Sequence, residues 1–112
     1  MKNYIVIYHA PSSAMEQSAN ATPEEIEKGM EPWMDWAKMC GDKLVDLGTP
    51  LTGGIKLSPG GSSASSEKDV VGYSILKAES IQDAKSLMEN HPHLNWAAGC
   101  EIEIHETMPL PG

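Results

Sequence analysis

Residues 70–88 read "VVGYSILKAESIQDAKSLM", and the hydrophobic period changes in the middle of them. Up to Ala78 the residues are β-branched or aromatic at alternate places, with Val71, Tyr73 and Ile75 on one face, which is a strand pattern. Ser80 and Asp83 then stand three apart as a capping box, so that a serine oxygen can accept from a free N–H of the first helical turn. Behind that cap, Ile81, Ala84, Leu87 and Met88 recur at three and four residues and predict a helix whose buried stripe they form. The fold follows from what flanks this strand-to-helix unit.

On the C-terminal side, "CEIEIHETM" (100–108) alternates cleanly, with Cys100, Ile102 and Ile104 on one face and Glu101, Glu103 and His105 on the other. At the N-terminal side, "NYIVIYH" (3–9) sends Ile5, Ile7 and His9 one way and Tyr4, Val6 and Tyr8 the other. Apolar residues on both of its faces predict a central strand covered on both sides. Between these strands, "APSSAMEQSANA" (10–21) reads as a loop. "TPEE" starts a helix, with Thr22 as cap and Pro23 at the first helical position. Pro32 predicts a break after a short helix ending near Met30. A longer helix over 33–47 carries Trp33, Ala37, Cys40, Leu44 and Leu47 on its stripe, with Gly48 placed to end it. "TPLTGGIKL" (49–57) is a weaker strand, and "SPGGSSASSEKD" (58–69) reads as a flexible loop.

The order β-α-β-β-α-β over residues 1–112 is the split βαβ, or ferredoxin-like, plan: an α+β domain with a four-stranded antiparallel sheet and both helices on one face. The other face of the sheet would then be bare although its strands are apolar on both sides. A second copy covering it, in a homodimer, is the expectation.

Composition narrows the function classes. The formal charge is −8, and all eight cations are lysine. That argues against nucleic acid, which needs clustered basic side chains, and it leaves no guanidinium fork for phosphate or carboxylate. No run approaches the ~20 apolar residues of a membrane helix. The apolar run after Lys2 is too short for a signal sequence, and two cysteines make no disulfide framework, so a cytoplasmic protein is expected. Neither double glycine opens a helix, so no dinucleotide cofactor is indicated.

The opening "MKNYIVIYH", the unit "GYSILKAESIQDAKSL", the segment "HPHL" and the closing "EIEIHETMP" together resemble the YCII-related (YciI-like) family of small bacterial proteins. The long first-helix region and the Gly/Ser loop are similar to its larger branch. The resemblance implies a ferredoxin-like fold paired into a dimeric α+β barrel, with a reaction mostly unassigned. Compact members carry a first-helix histidine and an aspartate before the proline after the second helix. Here the helix offers Met34, Asp35, Trp36 and Ala37, and His91 precedes Pro92, so that pair does not carry over.

The remaining chemistry rests on single residues. His93 and His9 are the candidate general bases, since histidine titrates near neutral pH and His9 ends the central strand. Asp35, Trp36 and Tyr73 are candidate ligand contacts, supplying a carboxylate, a flat wall and a hydroxyl to a shared cleft. Packing is the competing reading of the histidines and aromatic rings, and His91 suits the end of the second helix. Glu101, Glu103 and His105, about 7 Å apart along their strand, read as a solvated polar row. A zinc site from His91, His93, Cys100 and Glu101 or Glu103 lacks any ligand spacing, and no metal is expected. Two classes stay open: a small-molecule-binding dimer without chemistry, and a cofactor-independent lyase, isomerase or oxygenase using His93 or His9.

Overall fold

The computed structural model describes residues 1–11, 20–66 and 69–110, so most of the expected loop at 10–21 lies outside the described residues. The elements in chain order are β1 (Lys2–His9), α1 (Pro23–Cys40), β2 (Leu44–Asp46), β3 (Ile55–Leu57), β4 (Ser63–Ser65), β5 (Val70–Ala78), α2 (Ile81–Met88) and β6 (Glu101–Glu106). Four of the strands form one sheet in the order β2-β5-β1-β6, and every pairing in it is antiparallel. Numbered as sheet strands only, that order is 2-3-1-4, which is the ferredoxin-like topology.

β1 is central, with Ile5 opposite Ile75 of β5 and His105 of β6. Its alternation assigns the two faces. Tyr4, Val6 and Tyr8 are buried with Leu76 and Ala78 of β5, and Trp36 and Cys40 of α1 and Ala84 and Met88 of α2 pack on that same side. Ile5, Ile7, Tyr73 and Ile75 lie on the opposite face, half-buried, where no described helix covers them. Near its end β1 meets a bulge: Tyr8 pairs with Gly72 but His9 with Val70, so Val71 is the extra residue.

Three expectations need correction. The first helix does not break at Pro32 but runs through it as one 18-residue helix. The proline removes one N–H, yet the residues around it are exposed, so water can take up the freed carbonyl of Lys28. Nor does the helix reach residue 47. It ends at Gly41, which takes a positive φ of 55° and donates its N–H to the Ala37 carbonyl. The leucine at 44, expected on the helix stripe, instead opens β2, the edge strand that pairs with β5. Consequently, 49–57 is not the second sheet strand. Pro50 makes one bridge to Gly72, and β3 leaves the sheet to pair with β4 in a separate two-stranded ribbon. That ribbon includes part of the expected flexible loop, and its Ile55 and Leu57 are 71% and 78% exposed.

Gly48 is the tightest point of this connection. It has φ 79°, donates its N–H to Asp46 Oδ1 at 2.8 Å, and a Cβ placed on it would stand 1.7 Å from the Tyr73 carbonyl oxygen. Gly48→Ala should therefore cost about 3 kcal/mol or more in urea unfolding, from the clash and the backbone together. Gly53→Ala, at φ 67° with open space around it, should cost only the left-handed backbone, about 1 kcal/mol. Equal losses at the two positions would show that the close approach at Gly48 is not tight.

Candidate functional site

The helix-covered face carries an aromatic cluster around Tyr8. The edge of Trp33 meets its ring at 5.0 Å between centroids, and His91 and His93 lie 5.0 and 5.2 Å away. His91 is held between the two tryptophans of α1, 4.3 Å from Trp33 and 4.4 Å from Trp36, in edge-on geometry. Trp36 in turn donates its indole N–H to the Leu87 carbonyl at 2.8 Å, which fixes α1 against the end of α2.

The polar atoms here form a chain whose direction is set by chemistry. Ser74 Oγ can only donate to the Leu47 carbonyl, at 2.6 Å. It must then accept from the Tyr8 hydroxyl, 2.8 Å away. The Tyr8 oxygen accepts from His91 Nε2, a long contact of 3.4 Å. The other His91 nitrogen, Nδ1, accepts the backbone N–H of His93 at 3.0 Å, which places the ring proton on Nε2. His91 also caps the short 3-10 turn Pro92–Asn95 through that bond. It serves the end of α2 through its backbone N–H, which donates to the Met88 carbonyl at 3.1 Å, while its ring turns inward and is 0% exposed.

Burial sets the ionisation of this cluster. It pushes the Tyr8 hydroxyl up to about 12. Burial first, and the neighbouring His93 second, pull His91 down to about 3. The same cause holds His93 below the ordinary histidine range, with the carbonyls of His9 and Glu101 opposing it.

His93 is 2% exposed, and its Nε2 donates to the His9 carbonyl at 2.7 Å, tying the Pro92 turn to the end of β1. His93 lines a cleft of about 600 Å³ enclosed by α1, the segment after β2, the start of β5 and the Pro92 turn. Tyr8, Trp33 and Trp96 supply its aromatic walls, Ile26 and Met30 its outer rim, and Tyr73 of β5 borders it. Tyr73 and His93 both border this cleft. Asp35 and Trp36 border a separate, shallower depression with Asn90 and Asn95.

His9 lies elsewhere, on the open face of the sheet. Its Nδ1 is 2.8 Å from Asp69 Oδ1. Its Nε2 is 2.5 Å from Glu103 Oε1, though too far off the ring N–H direction for a hydrogen bond. Glu103 also accepts from His105 at 3.0 Å, and that bond, with His9 second among the attractions, holds its carboxyl below the usual range. Among the described residues no cluster of three or more His, Cys, Asp or Glu side chains is arranged to hold a metal ion.

One solved structure offers a comparison. It is the 5-chloro-2-hydroxyhydroquinone dehydrochlorinase of Burkholderia phenoliruptrix in complex with 2,5-dihydroxybenzoquinone. The two share 19% sequence identity over 92% of this chain and 91% of that one, with a TM-score of 0.43. No family model and no curated protein matches the sequence.

Sequence reasoning passed over Tyr8 and Ser74, reading them only as strand residues. A tyrosine and a serine at matching inward positions of two strands were the available signal, because buried hydroxyls need partners.

A buried neutral histidine links folding to pH. An unfolded His91 takes up a proton near pH 6.5, whereas the folded one stays neutral down to about 3. Its contribution to stability is complete above pH 6.5 and declines as the pH falls toward 3. Stability should drop by about 1.4 kcal/mol per pH unit for this one proton between pH 6 and 5. Urea titrations across that window should show the slope, reduced by one proton's worth in His91→Gln. An unchanged slope in the variant would mean that His91 is not the group responsible.

Proposed function

We propose that this chain is a YCII-related protein that pairs into a homodimer through the open sheet face and binds a small molecule in the Tyr8–Trp33–Trp96 cleft. The observation that carries the reading is the cleft itself. Its volume falls within the usual range for small-molecule sites, and its aromatic walls surround a few polar groups. The sheet supports the dimer, because Ile5, Ile7, Tyr73 and Ile75 form an apolar centre on the face that α1 and α2 leave open. Covering such a face removes apolar area from water, worth roughly 25 cal/mol per Å² before the costs of association. A cytoplasmic location belongs to the same reading. Cys40 and Cys100 are both free thiols, which suits a reducing compartment. No helix among the described residues is long and apolar enough to cross a membrane.

A second reading has one observation in its favour. The 2.8 Å contact between His9 and Asp69 is an oriented histidine–carboxylate pair of the kind that serves general-base catalysis. In a dimer this pair would lie where two sheets meet, and His93 lines the cleft on the other side. A cofactor-independent lyase, isomerase or oxygenase would then depend on His9 or His93. His9→Gln should leave the fold intact and abolish any turnover that depends on it, whereas His93→Gln also removes the bond to the His9 carbonyl and should lower stability.

Light scattering at micromolar concentration should report a dimer. Ile7→Asp, which puts a charge at the centre of the open face, should yield a monomer with unchanged far-ultraviolet circular dichroism. A wild-type protein that stays monomeric at high concentration would remove the basis for the covered face.

A further inference from the structure

The charge and ring content of the cleft restrict what it can hold. Three aromatic side chains on the helix side, Tyr8, Trp33 and Trp96, line one space of about 600 Å³, and their faces carry the negative side of the ring quadrupole. None of the seven described lysines lines the cleft, and among the described residues its one charged lining residue is Glu25, in the first turn of α1. Several of the polar side chains already spend their protons elsewhere. Tyr8 donates to Ser74, Thr49 to the Pro50 carbonyl, and His93 Nε2 to the His9 carbonyl. The whole chain adds a net charge of −8. An anion entering the cleft would meet ring faces, a carboxylate and a negative field, with no cation among the described lining residues to receive it. A flat ring finds apolar walls, and an ammonium on that ring finds both Glu25 and aromatic faces.

We infer that the cleft is a site for a flat aromatic molecule that is uncharged or carries an ammonium group, and that it excludes aromatic acids. This rests on the cleft-binding reading above and names the ligand class for it. Discrimination comes from the Glu25 carboxylate as much as from the rings, since rejecting a competitor requires a cost imposed on it.

Three probes of one shape separate the possibilities: 1-naphthalenemethylamine, 1-naphthalenemethanol and 1-naphthoate, titrated into the full chain by calorimetry. The alcohol and the amine should bind, the amine about threefold tighter at low salt and converging on the alcohol in Glu25→Gln. The naphthoate should bind at least about tenfold more weakly than either, the step that corresponds to ~1.4 kcal/mol. Two-dimensional nitrogen–proton spectra locate the bound probe. The indole N–H signals of Trp33 and Trp96 should shift, while that of Trp36, which is bonded to Leu87 and faces the other depression, should not. Gly29 lines the cleft with open space where a side chain would begin, so Gly29→Trp should plug it and abolish binding. Naphthoate binding as tightly as the amine, with the same two signals shifting, would overturn the ligand class and leave the cleft standing as a binding site. No binding by any probe, or binding that moves Trp36 alone, would overturn both.

Discussion

A tyrosine hydroxyl that water cannot reach organises this molecule. Tyr8 is 1% exposed, and an unpaired hydroxyl there would cost on the order of 1–3 kcal/mol. It is satisfied by Ser74 of β5 and His91 behind α2, and Ser74 passes the chain on to the carbonyl of Leu47 behind β2. Trp33 and Trp36 of α1 close over the His91 ring. Segments far apart in sequence are thus fixed against one another by one hydrogen-bonded chain and the rings around it. Any loosening of one member leaves a buried polar atom on the next, so the cluster acts as a unit. The cleft is built directly on it, with the rings of Tyr8, Trp33 and His93 as shared walls.

The sheet divides the chemistry of the protein between its faces. On the helix side the histidines are neutral, ring-packed and structural in their hydrogen bonding. On the open side His9, Asp69, Glu103 and His105 form a polar group at one end of the sheet, beside the apolar centre of Ile5, Ile7 and Ile75. Three histidines within fifteen residues of sequence therefore serve three environments. His91 is buried in the ring cluster, His93 joins a turn to β1, and His105 is exposed beside Glu103. The alternation of β1 places the His9 side chain away from His93, although the His9 carbonyl bonds the His93 ring.

Much of the architecture was legible because local signals were strong and agreed with tertiary packing. The alternation of residues 3–9, 70–78 and 101–106 determined strands, and Thr22 and Ser80 capped the two helices as their side chains allow. The second sheet strand was not legible. Gly41 and Gly48 were both able to stop a helix, and Leu44 and Leu47 fit a helical stripe as well as they fit a strand. Packing decided between them, since β5 had an open edge whose backbone groups needed partners and residues 44–46 could reach it. Pro32 misled in the opposite direction, because an exposed helix can give its orphan carbonyl to water.

What the sequence determined by itself is the βαββαβ order, the division of each long strand into two faces, and the absence of any arginine. Those follow from periodicity and composition, which are properties of neighbouring residues. What only the tertiary structure decided is which polar atoms meet: that Tyr8, Ser74, His91 and Leu47 share one chain, that Tyr73 and His93 border one cleft while Asp35 and Trp36 border another, and that His9 faces Asp69. Their partners lie 27 to 83 residues away along the chain. No local pattern encodes such a pairing, because it exists only once the sheet register and the bulge beside Tyr8 have brought the segments together.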